Sequence, residues 1–183
     1  MKTVAIVAGG DSSEYKVSLR SAEGLMGFIP DEYRKFIVLV VGDEWNALVG
    51  DEKYPIDRND FSFTMKDEKI CFDYAYITIH GTPGENGIFQ GYLSLMNIPH
   101  STCGVTAAAV TFDKFVCNNF LRSFGLNVAQ SIVLRKGESV ETKEVVDRLG
   151  LPVFVKPAAG VIVMISSFAT GSASPSLAPS LRH

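Results

Sequence analysis

No stretch of this 183-residue chain reaches the roughly 18 consecutive apolar residues that a membrane-spanning helix needs, and the opening apolar run, Thr3 to Ala8, is too short for a signal-peptide core. A place in the cytoplasm is the expectation. Basic residues are not in excess: 17 Lys and Arg against 20 Asp and Glu give a formal net charge of -3 and a pI near 5.6. That balance leaves no cationic face for nucleic acid or anionic lipid, so small molecules are the better class of ligand. The cysteines Cys71, Cys103 and Cys117 are far apart and form no CxxC or Cys/His pattern, which argues against a zinc site. They are expected to be reduced thiols in the core. There is no internal repeat, no coiled-coil heptad and no GxGxxG fingerprint. The missing fingerprint weighs against a nicotinamide-dependent oxidoreductase.

What is present is a globular composition, 46% hydrophobic and 20% charged, long enough for one full domain and part of another. TVAIVA, Thr3 to Ala8, is a continuous β-branched and alanine run closed by Gly9 and Gly10, the pattern of a strand buried on both faces. Val17, Leu19, Ala22, Leu25, Met26 and Ile29 then approximate helical spacing, with Ser12 or Ser13 as N-cap and Pro30 as the stop. Lys35 to Val41 and Phe72 to Ile79 predict two more buried strands. The turn-rich stretch 42–70 between them suits short hairpins or an excursion at the sheet edge. A helix is predicted over 88–96 and another over 106–122, followed by a strand at 129–134, a helix at 142–149 and a strand at 152–156. The fold class is therefore α/β: a Rossmann-like parallel-sheet domain over 1–103, then the α+β opening of a second domain over 104–160. From 161 to 183 the chain turns Ser/Ala/Pro-rich with one charged residue, Arg182, and reads as a low-complexity tail.

Three clusters carry candidate chemistry. GGDSSEYKVS, Gly9 to Ser18, sits at the carboxyl end of the first strand, where open parallel sheets place their ligand crevice. Glu14 lies there near a helix start that favours an ionised carboxylate, and it can hold an ammonium group. A plain helix-terminus acid beside a tight turn is the equally weighted alternative. HGTPGENG, His80 to Gly87, follows the third strand and lands on the same sheet edge, offering His80 and Glu85 among three glycines. A structural histidine beside a turn is the lesser alternative. Two lysines complete the set. Lys156, between the apolar VFV and Pro157, is expected to emerge from a buried strand toward an anion such as phosphate, while Lys114 alone is ordinary.

Taken together, GGDSSEYKVSLRS, HGTPGENGIFQGYLSLMNIPHSTCG, AAAVTFDK and LPVFVKP resemble, in order and spacing, the D-alanine:D-alanine ligases of the ATP-grasp superfamily, over roughly residues 1 to 160. The run from His80 through Gln90, Gly91, Pro99 and Gly104 is the most specific. The resemblance implies a pre-ATP-grasp substrate domain followed by an incomplete ATP-grasp segment. It implies an ADP-forming reaction in which one D-alanine carboxylate attacks ATP and the amine of a second D-alanine attacks the acyl phosphate, chemistry of positioning and charge neutralisation. By the same resemblance Glu14 is the catalytic glutamate that binds the ammonium of the first D-alanine and helps orient a catalytic serine loop, and Val17 and Ser18 lie beside it. His80 stands at the substrate carboxylate, supported by Glu85, and Lys114 and Lys156 contact the ATP phosphates. A homodimer through the first domain is implied as well.

The departures are equally informative. After KPAAG this chain runs on as VIVMI where the family has its glycine- and serine-rich loop, and the later SSFATG is displaced, leaving Ser166 and Ser167 poor matches for the loop serines. The family's adenine hinge, its magnesium-binding acids and asparagine, and the arginine and second serine at the intermediate have no counterpart here. No metal ligands are therefore assigned, although the family uses Mg2+ with ATP. The strands at 129–134 and 152–156 are expected to lack partners. The alternatives are a non-catalytic module binding an amino acid or nucleotide, or a non-functional truncated product with a frame change near residue 160. The chain by itself is expected to have negligible ligase activity. A coupled assay for D-alanine-dependent ADP release checks this, and turnover would refute it.

Overall fold

The computed structural model describes residues 1–159 and 162–167. They fall into two compact units divided between Asp113 and Lys114.

The first unit is organised by a strand with almost no polar surface. All seven residues of β1 (Thr3–Gly9) are buried. β1 pairs in parallel with β2 (Arg34–Val41) on one edge and with β7 (Tyr74–Ile77) on the other, so that Ile6 stands opposite both Ile37 and Tyr76. Beyond β2 the sheet continues antiparallel through β3 (Glu44–Val49) and β4 (Glu52–Pro55), giving the order β4-β3-β2-β1-β7. Alternation along β1 serves two cores. Val4, Ile6 and Ala8 pack with Ala22 and Leu25 of helix α1 (Tyr15–Phe28) on one face. Ala5 and Val7 face a larger cluster on the other, reached by Phe89 and Leu93 of helix α2 (Ile88–Leu95). Helix α3 (Val105–Phe112) packs on α2.

The larger cluster owes much of its mass to the turn-rich stretch. Hairpin β5 (Ser62–Met65) and β6 (Glu68–Cys71), with the loop before it, supplies Ile56, Phe61, Phe63 and Ile70. Their rings meet edge-on: Phe36 and Phe63 have centroids 5.0 Å apart and Trp45 and Tyr92 5.1 Å. Such contacts exploit the positive edge and negative face of each ring and add to area burial. The outer edge of β7 is partly covered, since the Ala75 N–H donates to the Pro99 carbonyl at 2.9 Å and the Ser101 N–H to the Ala75 carbonyl at 3.1 Å.

In the second unit β8 (Ser131–Leu134), β10 (Ile162–Ser167) and β9 (Val153–Ala159) form an antiparallel sheet in the order β8-β10-β9. Helix α5 (Thr142–Leu149) closes one face through Val145, which packs with Ile132 and Ile165. Helix α4 (Lys114–Ser123) lies against β9.

Several expectations are corrected. The strands expected to lack partners have one in β10, which is built from residues 162–167 of the supposed tail; 168–183 lie outside the described residues. The helix expected over 106–122 is two helices parted at Asp113, whose φ of -85° and ψ of 105° are extended, in keeping with aspartate's poor fit to helix interiors. The α1 cap is Glu14 itself, with no side-chain cap hydrogen bond, and neither serine takes that place. Cys71 and Cys103 are exposed and Cys117 is half-buried, so none is a core thiol. Among the described residues no helix is long and apolar enough to cross a membrane.

Tyr92 gives the packed cluster a pH signature. Burial first, then the carboxylates of Asp60 and Asp57, push its phenol up to about 12, and its hydroxyl donates to the Arg58 carbonyl at 2.8 Å. Because the folded value lies above the ordinary one of about 10, the neutral phenol favours the folded state, fully so below about pH 10 and no longer once the pH has risen through about 12. Urea denaturation across that interval should lose less stability per pH step in Tyr92→Phe than in the parent. Equal slopes would contradict the assignment.

Candidate functional site

The crevice expected from the sequence would lie where β1, β2 and β7 end and the two polar loops meet. Gly9 and Gly10 take φ values of +108° and +88°, and a Cβ on Gly10 would fall 2.5 Å from Cγ2 of Ile79. Across the crevice a Cβ on Gly84 would meet Cβ of the same Ile79 at 2.5 Å. Both loops therefore lie with bare backbone against one buried isoleucine, which only glycine permits.

Polar contacts then lock the loops together. The Asp11 N–H donates to the Thr82 carbonyl at 3.1 Å, while the Asp11 carboxylate accepts the Gly42 N–H at 2.9 Å. The Ser12 hydroxyl donates to the His80 carbonyl at 2.8 Å and accepts the Glu14 N–H at 3.2 Å. Loops 68 residues apart in sequence are thus joined through single side chains.

The structure places the expected residues as follows. Glu14 is exposed at the head of α1, and its carboxylate is not spent on capping that helix. Val17 is half-exposed one turn on. Ser18 differs: it is wholly buried, its Oγ accepts the Gly9 N–H at 3.0 Å, and it lies 3.3 Å from Oγ1 of Thr78. Ser18 holds the crevice from behind. His80 is partly exposed, with Nδ1 4.0 Å from Oε1 of Glu85, while Oε2 of Glu85 accepts the Gly81 N–H at 2.7 Å. Glu14, Val17, His80 and Glu85 thus belong to one unit and one sheet edge.

Lys114 and Lys156 belong to the second unit, on the neighbouring elements α4 and β9. Lys114 opens α4 and is exposed. The buried strand expected around Lys156 is not found: β9 is an edge strand, Phe154 and Val155 are 46% and 67% exposed, and the Lys156 ammonium lies 5.1 Å from the centroid of the Phe154 ring. An apolar run was mistaken for two-sided burial at a sheet edge. Ser166 and Ser167 lie in β10, opposite Phe154 and Val153, and not in a loop.

Four residues not assigned to the site from the sequence hold its loops: Asp11, Ser12, Thr78 and Gln90. Thr78 donates its hydroxyl within reach of the Val7 and Ser18 carbonyls, at 3.0 and 3.1 Å. Buried Gln90 donates from Nε2 to the Gly84 carbonyl at 2.6 Å, bracing the second loop from α2. A serine two residues before an acid at a helix start is an ST-turn signal that was available for Ser12. The partners of Asp11 and Thr78 lie too far off in sequence to be read locally, and nothing in the pattern 84–90 marks the Gln90 amide as the brace of the loop before it.

Two polar loops joined at the carboxyl ends of parallel strands, with the Glu14 carboxylate and His80 on them, define an α/β domain of the open parallel-sheet class, which places its ligand crevice at such strand ends. The family described as "D-ala D-ala ligase N-terminus" matches residues 3–103, more than half of the chain, and the chain belongs to it. The D-alanine--D-alanine ligase of Bacteroides thetaiotaomicron is 55% identical over 161 residues, 87% of this chain and 50% of that protein. That of Phocaeicola vulgatus is 57% identical over the same length and shares. The chain spans about half the length of these curated relatives. Among solved structures, the D-alanine-D-alanine ligase from Coxiella burnetii superimposes with a TM-score of 0.81 at 20% identity, over 91% of this chain and 64% of that one, a likeness of fold.

The buried hydroxyl of Ser18 gives a direct test of the lock. Ser18→Ala strands the Gly9 N–H without its acceptor, and an unsatisfied buried donor costs about 1–3 kcal/mol. Chemical denaturation should show a loss of that order. A change within experimental error would mean that the Gly9 turn is held by its backbone alone.

Proposed function

We propose that the first unit holds D-alanine in the crevice between residues 9–18 and 80–87, and that the second unit takes the phosphates of ATP. In this reading Glu14 pairs with the amino-acid ammonium, His80 faces its carboxylate, and Glu85 keeps the 80–87 loop closed through the Gly81 N–H. Val17 walls the opening and Ser18 holds the turn behind it. The observation that carries the reading is the free carboxylate of Glu14 on a loop hydrogen-bonded to that of His80, which sets a group for each end of an amino acid on one crevice.

Lys114 and Lys156 fit phosphate chemistry, being exposed cations on packed neighbouring elements that can meet phosphate oxygens as point charges. ATP, when bound, supplies the phosphoryl group that activates a carboxylate. The residues of this chain orient and neutralise: Glu14 and His80 fix the first amino acid, and the lysines offset phosphate charge. Among the described residues no group of three or more His, Cys, Asp or Glu side chains gathers as a metal cluster. The wider reading is a D-alanine–D-alanine ligase function in peptidoglycan precursor synthesis, in the cytoplasm, with a homodimer through the first unit. Its support is the family and the names of the relatives.

Calorimetric titration of the chain tests this. Uptake of D-alanine should weaken at least about ten-fold in Glu14→Gln, the loss of a charge-assisted contact of about 1.5–3 kcal/mol. Binding of ATP with magnesium should fall comparably in Lys156→Ala. Uptake of D-alanine without ATP would leave a non-catalytic binding module as the better description. A folded chain that takes up neither ligand would overturn both.

A further inference from the structure

Ser12 stands between the two groups to which the D-alanine reading assigns the ends of the ligand, and it belongs to neither. Its hydroxyl has one proton to donate and lone pairs to accept, and it uses both: the proton goes across to the His80 carbonyl of the other loop at 2.8 Å, and a lone pair takes the Glu14 N–H of its own loop at 3.2 Å. The neighbouring Ser13 is exposed and makes no such bridge. Opposite Ser12 lies Gly81, where an added Cβ would sit 3.1 Å from the Ser12 Cβ, so the loops approach as closely as they do because that position carries no side chain. Asp11 ties the same pair of loops one residue earlier through the Thr82 carbonyl. Among the described residues Ser12 is therefore the one side chain bonded at once to the backbone of Glu14 and to that of His80.

We propose that Ser12 is a positioning residue that fixes the spacing between the Glu14 carboxylate and the His80 imidazole, so that the ammonium and carboxylate of one amino acid are engaged together. This rests on the D-alanine reading above. A two-ended ligand gains from a preset spacing because its second contact forms without a further loss of freedom, whereas a one-ended ligand gains nothing. Loss of the bridge should thus discriminate between ligands, and a merely structural loss should not.

The test uses the full 183-residue chain with Ser12→Ala and, as control, Ser13→Ala. Without ligand, the amide resonances of His80, Gly81 and Glu85 should move in Ser12→Ala while those of β1 and α2 stay in place, and Ser13→Ala should leave all of them. On titration, the affinity for D-alanine should fall about ten-fold in Ser12→Ala, while that for D-alanine methyl ester, which keeps the ammonium but has no ionised carboxylate, should change less than about two-fold. Unmoved loop resonances would overturn the proposal whatever the ligands do, and so would equal weakening of D-alanine and its ester. A parent chain that takes up no D-alanine fails the functional reading alone; the loop resonances then decide the bridge.

Discussion

A strand buried on both faces and paired in parallel on both edges cannot slide. In β1 a shift of one residue would exchange Ala5 and Val7 for Val4, Ile6 and Ala8 between two cores of different size, and would break seven residue pairings with β2 and four with β7. That fixed register sets where Gly9 ends relative to Val40 and Ile77. The meeting of the strand-end loops follows from it. The Gly10 N–H reaches the Val40 carbonyl at 2.8 Å, Asp11 reaches Gly42 and Thr82, and Ser12 reaches His80, each contact requiring strand ends level to within a fraction of a residue.

The apolar and polar parts of the first unit have different tasks. The aromatic cluster around Phe61, Phe63 and Phe89 makes the sheet rigid, and Ile79 extends that packed surface to the crevice floor, where Gly10 and Gly84 rest on it. Above that floor the loops are held by hydrogen bonds, several of them from backbone groups that packing alone would leave unpaired. Ser18 and Thr78 form the join, since their hydroxyls serve Gly9, Val7 and each other beneath the exposed side chains of Glu14 and Val17. Binding groups on loops gain precision when the positions beneath them are fixed in this way.

What could be read from the sequence follows the range of the signal. β1, β2, α1 and α2 declared themselves because their periodicity and bounding glycines are local, and the two loops could be set on one edge because parallel strands leave no other choice. Contacts that span the chain were not legible. Nothing around Phe61 and Phe63 distinguishes a surface hairpin from half of a core until Phe36, Phe72 and Phe89 are placed against them. Lys156 failed for the converse reason: VFV reads as buried, but β9 takes the edge of its sheet. Likewise 162–167 had the composition of a tail and the place of a central strand, its Ile165 completing a face with Ile132 and Val145.

The proposed ligand groups divide between the units in a chemically coherent way. Glu14, Val17, Ser18, His80 and Glu85 all lie before Asp113, and every hydrogen bond of the loop lock is made within that first unit. Lys114 and Lys156 lie after it, on elements that pack on each other. In the proposed reading the groups for the amino acid lie in the first unit, where the contacts that set Glu14 against His80 close upon themselves. Phosphate neutralisation needs only two cations, which tolerate looser geometry than a two-ended ligand does, since a flexible ammonium acts as a point charge and does not depend on a fixed fork. In that reading a two-ended amino acid asks more of the sequence than phosphate does, and the family match from residue 3 to 103 covers the loops assigned to it.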